Sequence, residues 1–162
     1  MLMLLFFCFA LASMEAAASP KIGSPFPKVT DFSLEGTLPE LKGKIVLVDF
    51  WASWCLPCKK SFPVLNELQE KFARRGFVVL AVSVDEDRAA MEAFLKKTPS
   101  KFAVVRDGKG RLAEAAGVEK MPTSFILGAD GRVIAQHSGF EGEATRKAYL
   151  AEIEAALKSA GP

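Results

Sequence analysis

The hydrophobic pattern of the chain consists of short continuous apolar runs separated by longer stretches in which apolar residues recur every three or four positions. The run Ile45–Trp51, rich in β-branched residues and broken by one carboxylate, is typical of a strand buried on both faces of a sheet. The same reasoning predicts strands at residues 77–84 and 102–105. Two further strands, at residues 124–127 and 132–138, flank a hairpin turn at Ala129-Asp130-Gly131.

Helices are predicted where the apolar spacing changes to three and four. Pro63 lies inside the first helix, where a missing amide should kink it. Asp87 can cap a second helix that ends before Pro99. Two further helices are predicted at residues 111–116 and 146–158. The apolar stripe of the first helix is formed by Phe62, Leu65, Leu68 and Phe72.

The resulting order, β-α-β-α-β-α-β-β-α, predicts an α/β fold with a central sheet flanked by helices. Residues 20–41 are rich in Pro and Gly and predict irregular structure with one edge strand or hairpin around residues 29–34. No linker, repeat or low-complexity segment divides the remainder. We therefore expect a single domain over residues 19–162 of the 162-residue chain.

Composition excludes several classes of protein. Half of the residues are hydrophobic and 25% are charged, which excludes a disordered tail and a multi-span membrane protein. A formal net charge of +2 without a long basic run gives no indication of nucleic-acid binding.

The N-terminus carries an apolar leader. Residues 1–14 are apolar except for Ser13, which is shorter than the roughly 20 residues of a membrane-spanning helix. Ala16-Ala17-Ala18 then supplies small residues of the kind that signal peptidase accepts. Residues 1–18 are thus interpreted as a cleaved signal peptide, with a retained anchor or ordinary N-terminal core as alternatives. Phe6 and Phe7 precede Cys8, so lipidation of that cysteine is not expected.

Cys55 and Cys58 are the two cysteines that remain after the leader, an even number in an exported chain. Three residues apart at the start of a helix, they lie on one face and within reach of a disulfide. Cys55 falls at the first turn, where free amides and the helix dipole favour a thiolate that can attack. Cys58, one turn deeper, can then resolve the mixed disulfide. Pro57 suits the first turn because its missing N–H has no partner there.

Other uses of this cysteine pair remain open. A structural zinc site needs four ligands, and besides the two cysteines the chain after the leader offers only His137, which is distant in sequence. His137 is interpreted as a surface or hydrogen-bonded imidazole. A structural disulfide would close too short a loop to stabilise much. Copper(I) binding by two soft thiolates and a peroxiredoxin-like peroxidase are the alternative functions.

The segment from Val48 to Lys59, with the sequence VDFWASWCLPCK, resembles the active-site strand and helix of the thioredoxin superfamily. Pro63 matches the family's helix kink, and Met121-Pro122-Thr123 matches its cis-proline loop. The N-terminal extension and the extra helix and strand between Val84 and Met121 are similar to the exported TlpA/ResA-like branch. The fold implied is a thioredoxin-like mixed sheet with an N-terminal extension and a central helix–strand insertion.

The resemblance also implies roles for single residues. Cys55 would be the nucleophile and Cys58 the resolving thiol, with no cofactor beyond their redox-active disulfide and no metal. Pro122 would be cis and, with Met121, would offer backbone groups to an extended substrate strand. The substrate-docking residues are Trp54, Pro57, Met121, Pro122 and Thr123.

Asp49 is a residue in which this chain differs from the TlpA/ResA-like branch. A carboxylate in an apolar strand should have a raised pKa if it is buried. Thioredoxin carries a buried Asp here that relays protons to the resolving thiol, whereas the TlpA/ResA-like branch often has Asn and places a Glu where this chain has Ser61. Asp49 is therefore interpreted as the proton acceptor of Cys58, with a solvated carboxylate at the strand end as the alternative.

Together these features predict a thiol–disulfide oxidoreductase of the periplasm or cell exterior. In the TlpA/ResA-like branch the usual work is reductive, on disulfides of exported proteins that include apocytochromes c, with electrons from a membrane thiol-reducing partner. We expect a monomer. The motif does not fix the redox direction, because CxxC proteins span potentials from about −270 to −120 mV.

Overall fold

The structure, a computed structural model, describes residues 19–161. The predicted order of elements is confirmed. The strands are β1 (Ile45–Trp51), β2 (Phe77–Ser83), β3 (Ala103–Arg106), β4 (Thr123–Leu127) and β5 (Val133–Ser138). The helices are α1 (Leu56–Phe72), α2 (Arg88–Lys97), α3 (Arg111–Ala115) and α4 (Glu143–Ser159).

β1 is the central strand of one mixed sheet with the order β3-β2-β1-β4-β5. It runs parallel to β2 and antiparallel to β4, and all of its residues are buried. Side chains alternate between the two faces of a strand, so β1 contributes to a core on each side. This double burial explains the continuous apolar run in the sequence.

The main core lies between the sheet and the helices α1, α2 and α4. The apolar stripe of α1 is fully buried there, as its spacing predicted, and Pro63 lies on the exposed side of the helix. Burial of each large side chain contributes about 1.5–3 kcal/mol. The residues that define the main core include Leu47, Trp51, Phe62, Leu65, Phe94, Tyr149 and Ile153.

A second core covers the opposite face of the sheet. It is closed by α3 and by the N-terminal segment, whose Phe26 ring lies 5.1 Å from that of Phe125. Its residues include Phe26, Val48, Phe50, Leu112, Phe125 and Val133.

The predicted edge strand around residues 29–34 is wrong. The chain forms a 3-10 turn at Val29–Asp31, and the segment touches the sheet at two isolated bridges, between Pro25 and Arg132 and between Glu35 and Arg106. The physical reason is that the apolar residues of this segment pack onto the second core without forming a ladder: Val29 is buried, and Phe32 and Leu34 are half-buried against that core.

The predicted leader, residues 1–18 with Cys8, lies outside the described residues. Within residues 19–161, no helix combines the length and apolar character needed to cross a bilayer.

Candidate active site

Cys55 stands at the junction between the central strand and α1. β1 ends at Trp51, and Cys55 is the N-cap residue of the helix that begins at Leu56. Its Sγ accepts a hydrogen bond from the backbone N–H of Cys58, at 3.3 Å. The sulfur therefore lies among the unpaired amides at a helix N-terminus, where a negative charge is favoured.

The two cysteines are joined in a disulfide, as their spacing predicted, with their Cα atoms 5.3 Å apart. Their environments differ: Cys55 is 5% exposed and Cys58 is 0% exposed. Cys55 is thus the member of the pair that keeps some solvent-accessible surface, although both cysteines belong to the main core.

The loop between β1 and α1 is held by a buried carboxylate that sequence reasoning missed. Asp85 accepts hydrogen bonds from the Ser53 backbone N–H at 2.9 Å and from the Ser53 hydroxyl at 2.7 Å. The Ser83 hydroxyl donates to the same carboxylate at 2.8 Å. The sequence did show Asp85 as a carboxylate at the end of an apolar strand. It did not show the partner of that carboxylate, because Ser53 lies 32 residues earlier in the chain. These bonds fix the loop two residues before Cys55.

The cis-proline loop lies at the same end of the sheet as the junction between β1 and α1, because Thr123 pairs with Phe50 near the end of β1. The Met121–Pro122 peptide bond is cis, as the resemblance implied. The Pro122 carbonyl accepts from the Gly139 N–H at 2.7 Å, and the Thr123 hydroxyl donates to the Lys120 carbonyl at 2.7 Å. Met121 is half-buried and packs against the main core. The loop is therefore anchored on both sides of the cis bond.

An exposed apolar surface surrounds Cys55. Trp54 is 70% exposed and Leu56 is 63% exposed, although both are large hydrophobic side chains. Pro57 is exposed next to them. Apolar side chains left in water beside a reactive group are typical of a surface that binds another chain.

Asp49 is fully buried, so its interpretation as a solvated strand-end carboxylate is wrong. It alternates along β1 with Leu47 and Trp51, which places its side chain on the main-core face, where Cys58 also packs. Neither carboxylate oxygen has a hydrogen-bond partner among the described residues. Burial raises the pKa of Asp49 from 3.8 to about 7, and the neighbouring Ser124 hydroxyl acts weakly in the opposite direction. An acid with this pKa can accept or release a proton at neutral pH.

Ser61 occupies the position at which the TlpA/ResA-like branch commonly has Glu. It is buried, and its hydroxyl donates to the Cys58 carbonyl at 2.9 Å. The residue is thus satisfied within its own helix and brings no acid to the site. Among the buried carboxylates of the described residues, Asp49 is the one whose oxygens have no hydrogen-bond partner.

His137 is paired with a carboxylate of α4. Its Nε2 lies 2.7 Å from Glu152 Oε2, which confirms its interpretation as a hydrogen-bonded imidazole. In the part of the chain that the structure describes, no three His, Cys, Asp or Glu side chains gather into a metal-binding group.

Comparison with known families and sequences identifies close relatives of the chain. A family model described as Redoxin matches residues 21–153. The thiol-disulfide oxidoreductase ResA of Bacillus thuringiensis subsp. konkukian is 36% identical over 136 residues, which cover 82% of this chain and 79% of the relative. ResA of Bacillus subtilis is 34% identical over 126 residues, covering 74% of this chain and 70% of the relative.

Solved structures share the fold. A Chlorobium tepidum protein assigned as thiol:disulfide interchange protein DsbE superposes with a TM-score of 0.80 at 40% identity, covering 86% of this chain and 99% of that one. StoA of Bacillus subtilis gives a TM-score of 0.58 at 27% identity, with 65% of this chain and 82% of StoA covered. The thioredoxin-like mixed sheet predicted from the motifs is confirmed.

Replacing Asp49 with Asn is expected to remove a pH dependence from the stability of the oxidised protein. Because burial raises the pKa of Asp49 from 3.8 to about 7, the folded state between these values holds a proton that the unfolded state has released. The free energy of unfolding of the wild type should therefore fall by roughly 2–3 kcal/mol as pH rises from about 5 to about 8. Urea unfolding of both proteins across this range measures the difference. Parallel stability profiles for wild type and Asp49→Asn would contradict the burial of an unpartnered carboxylate.

Proposed function

The chain belongs to the Redoxin family and is a thiol–disulfide oxidoreductase, and we propose that it reduces disulfides in exported proteins through Cys55 and Cys58. The observation that carries this proposal is the asymmetry of the cysteine pair. One sulfur is accessible at a helix N-cap, and the other is buried one turn further along the helix. Such a pair can capture a substrate with the first sulfur and release it with the second.

In the first step, the Cys55 thiolate attacks one sulfur of a substrate disulfide. A bond forms between Cys55 and that sulfur, the substrate disulfide breaks, and its other sulfur leaves as a thiolate. The amides at the start of α1 stabilise the attacking thiolate, which lowers the pKa of such a cysteine below that of a free thiol.

In the second step, Cys58 gives its proton to the Asp49 carboxylate and attacks Cys55. The mixed disulfide breaks, the second substrate sulfur leaves, and the Cys55–Cys58 disulfide of the present structure forms. Two electrons have then passed from the protein to the substrate. Supporting the role of Asp49 are its place on the main-core face shared with Cys58 and a pKa raised to about 7. A base of that pKa is present in part as carboxylate at neutral pH.

The substrate would dock across the exposed apolar surface and the cis-proline loop. Trp54 and Pro57 offer apolar contact, and the backbone of Met121 offers hydrogen bonds to an extended substrate segment. Pro122 and Thr123 hold that backbone in place through their bonds to Gly139 and Lys120. Backbone pairing of this kind accepts many sequences, which suits an enzyme that acts on several unfolded or partly folded proteins.

The reductive direction requires a donor of electrons. We propose that a membrane thiol-reducing protein restores the dithiol, that the substrates include the haem-attachment cysteines of apocytochromes c, and that the protein works as a monomer. The apolar leader followed by Ala16-Ala17-Ala18 supports export to the periplasm, with cleavage after residue 18.

The cysteine roles can be tested separately by substitution. Cys55→Ser should reduce the rate of insulin disulfide reduction to background, because no attacking thiolate remains. Cys58→Ser should accumulate a mixed disulfide with substrate, because the captured sulfur cannot be released. Mass spectrometry and non-reducing electrophoresis detect this species.

The double variant Cys55→Ser/Cys58→Ser is the control for adventitious capture. Absence of a trapped species with Cys58→Ser, or equal trapping by Cys55→Ser, would overturn the assignment of the two sulfurs. Peroxide consumption that persists in Cys58→Ser would indicate a peroxidase instead.

The role of Asp49 can be tested through the pH dependence of turnover. Asp49→Asn should slow resolution of the mixed disulfide at pH 7 by roughly tenfold, at the lower end of the effects of general bases. Above about pH 9 the difference should shrink, because Cys58 then ionises without help. Stopped-flow measurement of product release at the two pH values gives, for each protein, the ratio of its two resolution rates.

Asp107→Asn provides a matched control, because Asp107 is also a buried carboxylate but accepts from the backbone of α3 at Arg111 and Ala113. The ratio of its rates of mixed-disulfide resolution at the two pH values should equal that of the wild type. Asp49→Asn kinetics identical to wild type at pH 7 would remove Asp49 from the mechanism.

A further inference from the structure

A row of polar residues crosses the main-core face of the sheet beneath α4. Asp49 of β1 pairs with Ser124 of β4, which in turn pairs with His137 of β5. Residues directly opposite one another on neighbouring strands project from the same face. Tyr149 of α4 packs over this row and is fully buried.

The contacts within the row link the two hydroxyls. Ser124 Oγ lies 2.5 Å from Tyr149 OH, and both residues are inaccessible to water. The Tyr149 ring stands edge-on to His137, with 5.0 Å between ring centroids. His137 in turn binds Glu152 on the outer side of the row.

Asp49 has few other polar neighbours. On β2 its paired residue is Ala81, which carries no polar side chain. On α1 the titratable group that packs in the main core is Cys58. The charged pair Glu67 and Arg146, which joins α1 to α4, is satisfied within itself. Ser124 is therefore the hydroxyl opposite a carboxylate that lacks any hydrogen-bond partner in residues 19–161.

The electrostatics of the row couple Asp49 to Tyr149. Burial, and then the charge of Asp49, raises the pKa of Tyr149 above its usual range, while its bond with Ser124 lowers it. The Tyr149 hydroxyl consequently stays protonated and can donate to or accept from Ser124, but it forms no hydrogen bond with Asp49 in the structure.

We propose that Ser124 and Tyr149 are positioning residues for Asp49, in which the Tyr149 hydroxyl donates to Ser124 and the Ser124 hydroxyl donates to the carboxylate once Asp49 is ionised. A hydroxyl accepts and donates at the same time, so the bond between Tyr149 and Ser124 is kept while the Ser124 proton turns towards the charge. The pair therefore stabilises the ionised form of Asp49 in an otherwise apolar core. The inference rests on the proposed function, because it sets the pH range over which Asp49 can take the proton of Cys58.

The arrangement predicts rises of graded size for two substitutions. Ser124→Ala removes the hydroxyl that stabilises the ionised form, so the titration midpoint of Asp49 should rise by about one pH unit. Tyr149→Phe keeps the Ser124 hydroxyl but removes the bond that polarises it, so the midpoint should rise by less, about half a pH unit. In a Ser124→Ala background Tyr149→Phe should add no further shift, whereas a merely structural role for Tyr149 would shift the midpoint in either background.

The midpoint is measured in the oxidised protein by carbon-13 NMR of labelled aspartate carboxyl groups, with Asp49→Asn used to assign the signal. This readout does not depend on turnover. In the active protein, the pH profile of mixed-disulfide resolution should shift in the same direction as the midpoint for each variant, and both shifts should vanish in an Asp49→Asn background.

Midpoints that fall, or that do not move, would overturn the inference. Should Ser124→Ala fail to fold, Tyr149→Phe decides alone, since a rise supports the donation from Tyr149 through Ser124 and a fall or no change contradicts it. Failure of the proposed function looks different: the wild type would not reduce insulin, whatever the carboxyl titration shows.

Discussion

The junction between β1 and α1 is the constraint on which the rest of the site depends. β1 is held on both edges by β2 and β4 and on both faces by apolar side chains, so its last residue has a fixed position. The Asp85 carboxylate then holds Ser53, and the helix begins directly after Cys55. The sulfur is thus placed at the free amides of the helix by rigid elements, and little of its position is left to a mobile loop.

Burial separates the tasks of the two sulfurs and of the acid. Cys55 keeps a slight exposure beside the apolar surface, whereas Cys58 and Asp49 are fully buried. An unpartnered carboxylate in such a place reduces stability at neutral pH, because its charged form lacks solvation. Sites that lower stability in this way are common where function needs a group with an unusual pKa. Here the acid lies on the strand, and Ser61 takes the helix position where related proteins commonly have Glu.

Much of this arrangement could be predicted from the sequence, because it depends on local periodicity. The apolar run of β1 and the stripe of α1 each follow from spacing, and the burial of Asp49 follows from its place inside such a run. The interpretation of residues 29–34 as a strand was wrong because apolar alternation also arises where an irregular segment packs its side chains onto a core, as Val29, Phe32 and Leu34 do. The cis bond before Pro122 needed the family resemblance, since periodicity does not distinguish peptide isomers.

Long-range polar contacts could not be predicted. The bond of Asp85 with Ser53 spans 32 residues, and that of Ser124 with Tyr149 spans 25. Each joins residue types that are ordinary in isolation, and only the folded sheet brings them together. The most direct test of the whole account is the pKa of the Cys55 thiol in the reduced protein, measured by the pH dependence of iodoacetamide alkylation with each cysteine identified by mass spectrometry. The account predicts that Cys55 reacts first, with a midpoint well below the roughly 8.5 of a free cysteine. A midpoint at or above that value, or faster alkylation of Cys58, would contradict it.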